Sequence, residues 1–195
     1  ALNSMINNDN VNKDNSISKT YIEDWFEKNM LDFAKYLEDS VYCNDRSVID
    51  YSNWASTNNV TGYGMGYETI KFKNYNLNDE LYCKNITDRF SVSNDKAKLK
   101  YPVGLITYDE LWSSGEKIGV VNNKGYLYNK FSYYTMTPAI YYPGDNAVAI
   151  YSYIGDINSI GTVYPYSVFG VRPVINLNAQ VLEQGDGTMD NPYHL

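Results

Sequence analysis

The chain has 195 residues, 44% of them hydrophobic and 20% charged, enough for one globular domain or two small ones. A domain of this length buries roughly 70% of its unfolded surface, so a substantial core is expected. The formal net charge of -7 argues against a non-specific nucleic-acid or anionic-membrane partner, which needs clustered Lys and Arg, and no apolar run approaches the roughly 18 residues of a membrane span.

The chain starts abruptly in polar sequence with no visible signal peptide, as expected of a piece whose N-terminal targeting or anchoring segment has been removed. The unusual count is 21 Tyr beside 6 Phe and 1 His. An AT-rich genome, whose codons favour Asn, Lys, Tyr and Ile, is one explanation. The other is a surface of amphipathic rings suited to binding, since Tyr joins apolar area to a hydrogen bond.

Residues 1–17 are rich in Asn, Asp, Ser and Lys and read as a flexible linker. Thr20 with Glu23 fits a capping box, and Ile22, Trp25, Phe26 and Met30 follow at helical spacing, so a helix packs one face on the core and ends near Asn29. Leu31 to Leu37 reads as a short second turn. The polar, Gly-bearing stretch from Asp50 to Tyr67 carries Trp54, Tyr63, Met65 and Tyr67, and is too long for an ordinary connection. Leu81 to Cys83 returns to an extended pattern.

Val103 to Ile106 suits a buried strand. Thr107 with Glu110 forms a second capping box and Gly115 a helix C-terminus, so a short helix is expected over Tyr108 to Ser114 with Leu111 and Trp112 inward. Beyond Asn122-Asn123-Lys124-Gly125 the chain reads as β-rich. Strands are expected at Tyr126–Tyr128, Tyr133–Met136, Ala147–Ile154, Ile157–Val163 and Val168–Leu177, with Gly155-Asp156 as a tight hairpin turn. In the last strand Phe169, Val171, Pro173, Ile175 and Leu177 alternate with Gly170, Arg172, Val174 and Asn176, so it should close a sheet, with Pro173 at an edge or a bulge. Residues 185–195 are turn chemistry. The expected organisation is therefore a linker at 1–17, one α+β domain at 18–184 and a tail at 185–195.

Cys43 and Cys83 each follow a hydrophobe and a Tyr and precede an Asp-Arg pair. That shared pattern favours a disulfide over two free thiols, and a disulfide implies an oxidising, extracellular setting. Two Cys and the terminal His194 cannot build a four-ligand zinc site, nor does a His at the chain end suit nucleophilic catalysis. Gly62 to Gly66 lacks the strand, helix and Lys of a phosphate loop. Asp and Glu are scattered, so no pair stands out for glycoside hydrolysis. No cofactor is expected. Asp145-Asn146, Asp156 with Asn158, and Asp186 with Asp190-Asn191 offer oxygens suited to a structural Ca²⁺, with plain turn chemistry the alternative. Arg172 faces away from the apolar row and is a structural ion-pair candidate, with Asp45 or Asp88 as partner.

Taken in order, Cys43-Asn44-Asp45-Arg46-Ser47, Cys83 with Asp88-Arg89-Phe90, Tyr101 to Thr107, Tyr134 to Pro138, Gly170 to Leu177, and Gly185 to Thr188 with Asn191-Pro192-Tyr193 make an ordered set. The set resembles a family of uncharacterised domains in secreted or surface-anchored proteins of Gram-positive bacteria. Members of that family look distantly similar to the C-type lectin-like fold shared with the formylglycine-generating enzyme. The resemblance implies that scaffold, with a helix and a short second helix packed on a mostly antiparallel, twisted sheet, and an extracellular or cell-surface location. The sequence signatures of calcium-dependent sugar binding, and the close cysteine pair of the oxidase, are absent. The expected function is a non-catalytic binding or adhesion module for a carbohydrate or protein ligand. Trp54, Tyr63, Tyr141, Tyr142, Tyr164 and Tyr166 are its candidate contacts. A carboxylate-based cell-wall hydrolase and a purely structural domain are the alternatives.

Overall fold

A computed structural model describes residues 12–44, 63–64, 83, 85–116, 127, 131–142, 147–154, 159–163, 168–179, 185, 188 and 190–191. They form a mixed α+β arrangement of few helices and small sheets. Helix α1 (Ile17–Asn29) leads into a 3₁₀ turn (Leu31–Tyr36). Then come β1 (Tyr42–Cys43), β2 (Tyr63–Gly64), β3 (Arg89–Phe90), β4 (Gly104–Leu105) and helix α2 (Tyr108–Ser113). The chain continues with β5 (Tyr133–Tyr142), β6 (Ala147–Ile154), β7 (Ser159–Val163), β8 (Gly170–Val171) and β9 (Pro173–Val174).

Helix α1 begins differently from expectation. Its cap is Ser16, whose Oγ accepts the Lys19 N–H at 3.1 Å, not Thr20. Glu23 is recruited elsewhere: it pairs with Lys19 Nζ at 2.9 Å and accepts the Lys100 N–H at 2.7 Å. A carboxylate buried to 6% exposure needs such partners, and a cap four residues upstream leaves it free to take them. The C-terminus at Asn29 and the following short turn agree with the sequence reading. The Thr107–Glu110 box forms as expected. Glu110 accepts the Thr107 N–H at 2.7 Å, and Thr107 Oγ1 accepts the Glu110 N–H at 3.2 Å. Gly115 follows α2 at φ 94°, in the left-handed region that glycine reaches without a Cβ penalty. Leu111 is fully buried, whereas the Trp112 side chain lies outside the description.

The core has two adjoining parts. In one, Ile22 and Phe26 of α1 meet Val103, Leu105 and Tyr134, and Phe169, Val171 and Ile175 pack against them. In the other, Tyr42, Phe90, Ala97 and Leu99 come together, with Val174 on their margin. Met136 packs against both. Phe26 is wholly buried and stacks on Tyr101, ring centroids 4.9 Å apart. Burying such a ring stabilises by roughly 1.5–3 kcal/mol.

The main sheet runs β2-β5-β6-β7, with β8 also on β5. Strand β6 spans Ala147–Ile154, as expected, and β6 and β7 pair antiparallel from Ile150↔Val163 to Ile154↔Ser159. Strand β5 is longer than expected and passes through Pro138, where its register with β6 shifts on either side. A proline has no N–H to donate, so irregularity there is the lower-energy solution. Within the first of these irregularities, between Tyr134 and Pro138, Met136 donates its N–H to the Ile106 carbonyl at 2.9 Å, tying β5 to the chain beyond β4.

The expected single strand over 168–177 is divided. Gly170–Val171 runs parallel to Tyr133–Tyr134, while Pro173–Val174 pairs antiparallel with Gly104–Leu105. The alternation survives in part, because Phe169, Val171 and Ile175 face one core cluster and Val174 the other. Leu177 ends 41% exposed, bridged to Leu37. Of the expected strand at 126–128 only Leu127 is described, and it is buried.

Candidate functional site

Two regions hold the residues singled out from the sequence. The first is the base of the fold. Cys43 and Cys83 are joined by a disulfide, Cα atoms 5.7 Å apart, across a sequence separation of 40. Neighbouring backbone knits the same place together: Cys43 lies opposite Arg89 in the β1–β3 ladder, the Asn44 N–H bonds the Asp88 carbonyl at 2.9 Å, and Arg89 Nε bonds the Cys83 carbonyl at 2.6 Å. Asp88 is buried and its Oδ2 accepts the Asn85 amide at 3.2 Å. Asp45 lies outside the described residues.

Arg172 sits at the residue where the chain passes from β8 to β9. Its Nη1 donates to the Leu127 carbonyl at 2.7 Å, and its guanidinium lies 5.3 Å from the centroid of the buried Tyr133 ring. Those contacts make it an anchor between β5 and the Leu127 segment. Tyr42 is the other anchor of the base. Its hydroxyl donates to the Pro102 carbonyl at 3.0 Å, and its ring lies flat on Gly104, where a Cβ would overlap Cγ and Cδ1. Burial, reinforced by the Glu110 carboxylate against the opposing effect of an Asn176 hydrogen bond, pushes the Tyr42 phenol up to about 12.

The second region is the far end of the main sheet. Strand β2 pairs with β5 so that Tyr63 stands opposite Tyr141 and Gly64 opposite Ile140. Tyr141 in turn stands opposite Val148 of β6, and Tyr142 opposite Ala147. With β6 along one edge of β5, β2 and β8 share the other: β8 at Tyr133–Tyr134, β2 at the opposite end. At ~3.3 Å per residue, that end lies on the order of 20 Å along β5 from the core residue Tyr134. Of the six candidate contacts, Tyr63 and Tyr141 are thus set opposite each other in backbone register, and Tyr142 follows Tyr141 at a position on the other face of the sheet. Trp54, Tyr164 and Tyr166 lie outside the described residues.

Buried Glu23 is occupied by Lys19 and the Lys100 N–H, and no group of three or more His, Cys, Asp and Glu that could hold a metal ion occurs among the described residues. Asp145, Asn146, Asp156, Asn158 and Asp186 are outside the description; the Asn191 N–H bonds Thr188 Oγ1 at 3.1 Å, an ordinary turn contact. Among the described residues no helix is long and apolar enough to cross a membrane. Lys96, Lys98 and Lys100 alternate in sequence with Ala97 and Leu99, a local signal of outward-facing charge beside a buried row. No family model, curated protein or solved structure matches the chain.

Proposed function

We propose that this chain is a non-catalytic, extracellular binding or adhesion module of a bacterial surface protein, built on a C-type lectin-like scaffold, that takes a carbohydrate or protein ligand at the tyrosine-bearing end of its main sheet. The observation that carries the reading is the β2–β5 register, Tyr63 opposite Tyr141 with Tyr142 adjacent. That register sets two tyrosines directly opposite each other in the ladder, and tyrosine is the residue that contributes contact area and a hydrogen bond at low entropic cost. The Cys43–Cys83 disulfide supports the location, since such bonds persist in oxidising compartments. The scaffold and the surface setting rest on the ordered motifs from Cys43 to Tyr193.

Binding screens on glycan arrays and on immobilised host-matrix proteins test the reading, with Tyr63→Ala/Tyr141→Ala as the comparison. A hit that the double variant loses while its circular dichroism is unchanged is the expected result. Silence on both screens from folded protein overturns it.

A further inference from the structure

A groove of about 470 Å³ lies between the first turn of α1 and the segment 92–100. Asn12, Asn15 and Lys19 form one wall; Lys96, Lys98 and Lys100 form the other. The second wall follows from the sequence. Ala97 and Leu99 are buried at 0% and 3% exposure in the Tyr42–Phe90 cluster, so the lysines alternating with them are turned outward. The Leu99 N–H bonds the Ser91 carbonyl at 2.9 Å and fixes that alternation. The walls are also tied to each other. Asn12, at φ 66°, donates its amide to the Thr87 and Lys96 carbonyls at 2.7 and 2.8 Å, and Glu23 accepts the Lys100 N–H at the groove's side. The groove is therefore formed before any ligand arrives, which lowers the ordering cost of binding.

Its electrostatics run against those of the chain. The protein carries a net charge of -7, yet Lys96 makes no ion pair among the described residues. Lys98 pairs with Asp95 and Lys100 with Glu27, at 2.8 and 2.7 Å, but both pairs are about half exposed or more. Exposed pairs contribute little and exchange readily for a stronger anion. None of the residues lining the groove is aromatic, so it lacks the stacking platforms on which single-stranded nucleic acid depends. It does offer an Asn15 amide and an Asp95 carboxylate, groups that hydrogen-bond sugar hydroxyls.

We propose that this groove binds an acidic oligosaccharide, with Lys96, Lys98 and Lys100 taking its anionic groups and Asn15 and Asp95 its hydroxyls. The site shares no residue with the tyrosine tip and stands or falls separately from it.

Titration of the ¹⁵N-labelled chain tests the proposal, with an oligogalacturonate as the carboxylate probe, a heparin-derived oligosaccharide as the sulfate probe, and a neutral malto-oligosaccharide and oligothymidylate as comparisons. Saturable shifts at amides in 12–19 and 92–100 with either acidic sugar, and none with the neutral one, are expected, and which acidic sugar binds tighter identifies the anionic group. Affinity should weaken with added salt, and Lys96→Gln/Lys98→Gln should weaken it by about tenfold per lysine. Neither substitution removes a buried contact, so the variant retains the fold. Absence of saturation at about 1 mM of both acidic sugars, an unchanged affinity in the double variant, or equal binding of oligothymidylate overturns the proposal.

Discussion

Tyr42 and Gly104 are two halves of one contact. The ring needs a residue without Cβ beneath it, and the neighbouring Pro102 carbonyl takes its hydroxyl at 3.0 Å. Gly104→Ala should therefore overpack the β4–β9 pair and cost about 1–3 kcal/mol in urea unfolding, and an unchanged midpoint would refute the contact. The hydroxyl gives a second prediction with a definite sign. The Tyr42 phenol is held at about 12 when folded against 10.0 ordinarily. The stability linked to that shift is fully present below pH 10 and is lost as pH rises through the folded value. At ~1.4 kcal/mol per unit it amounts to about 2–3 kcal/mol. At neutral pH, Tyr42→Phe should be less stable than the parent by about 0.5–1.5 kcal/mol, the usual size of one hydrogen bond. Towards pH 12 the difference should close and reverse, because only the parent must bury or release a tyrosinate there. The other tyrosines are common to both proteins and cancel; a gap that stays constant across pH 10 to 12 would refute the assignment. None of this was legible in the sequence. Tyr42 stood there as one of 21 tyrosines, and a close approach between residues 62 positions apart leaves no local pattern. The Thr107–Glu110 box was legible because all its partners lie within one turn.

At the scale of elements, α1 is held by its apolar face and by its contacts with Lys100 and Tyr101. Phe26 stacks on Tyr101, Glu27 pairs with Lys100 Nζ, and Glu23 accepts the Lys100 N–H. Of the two carboxylate contacts the Glu23 one matters more, since Glu23 is buried and the Glu27 pair is exposed and screened. Glu23→Ala should cost about 1–3 kcal/mol by leaving the Lys100 N–H unsatisfied, whereas Glu27→Ala should change the urea midpoint little. Equal effects from the two would mean the clamp is not the backbone bond. The sequence showed a helix here and its inward face, but it misassigned the cap. A Thr-x-x-Glu match describes local spacing only, and Glu23 answers to Lys100, far along the chain. The same limit explains the strands. β6, a nearly continuous run of apolar and aromatic residues over Ala147–Ile154, was readable. β1, β3, β4, β8 and β9 are two residues each, too short to show a period. Their pairing depends on which partner is near, which is why the alternating run at 169–177 did not reveal that its partner changes at Arg172. The tyrosines of the candidate site were visible as residues; the register that sets Tyr63 beside Tyr141 was not.

Across the whole molecule, charge and covalent linkage are unevenly distributed. β5, β6 and β7 contain no Asp, Glu, Lys or Arg, so the charge lies in the remainder of the chain. That remainder includes the disulfide, whose two ends are also held by non-covalent bonds. Cys43 is laddered to Arg89, and Arg89 Nε reaches the Cys83 carbonyl. In the folded protein the crosslink therefore fixes a geometry that β1–β3 already maintains. Its main effect falls on the unfolded chain, where it closes a loop with a sequence separation of 40. On the chain-entropy account that closure contributes about 4 kcal/mol. For a chain of this size each kcal/mol shifts the melting temperature by about 2–4 °C, so reduction should lower it by about 8–16 °C. Because β1–β3 and the Arg89 bond persist, the far-ultraviolet circular dichroism at room temperature should stay as it was, while the intact mass rises by the two hydrogens of a thiol pair. Loss of secondary structure on reduction at room temperature would show that the bond holds the native base together directly. An unchanged melting temperature would show that the unfolded chain does not profit from the open loop, and either result would refute the division of labour between the disulfide and the ladder beside it.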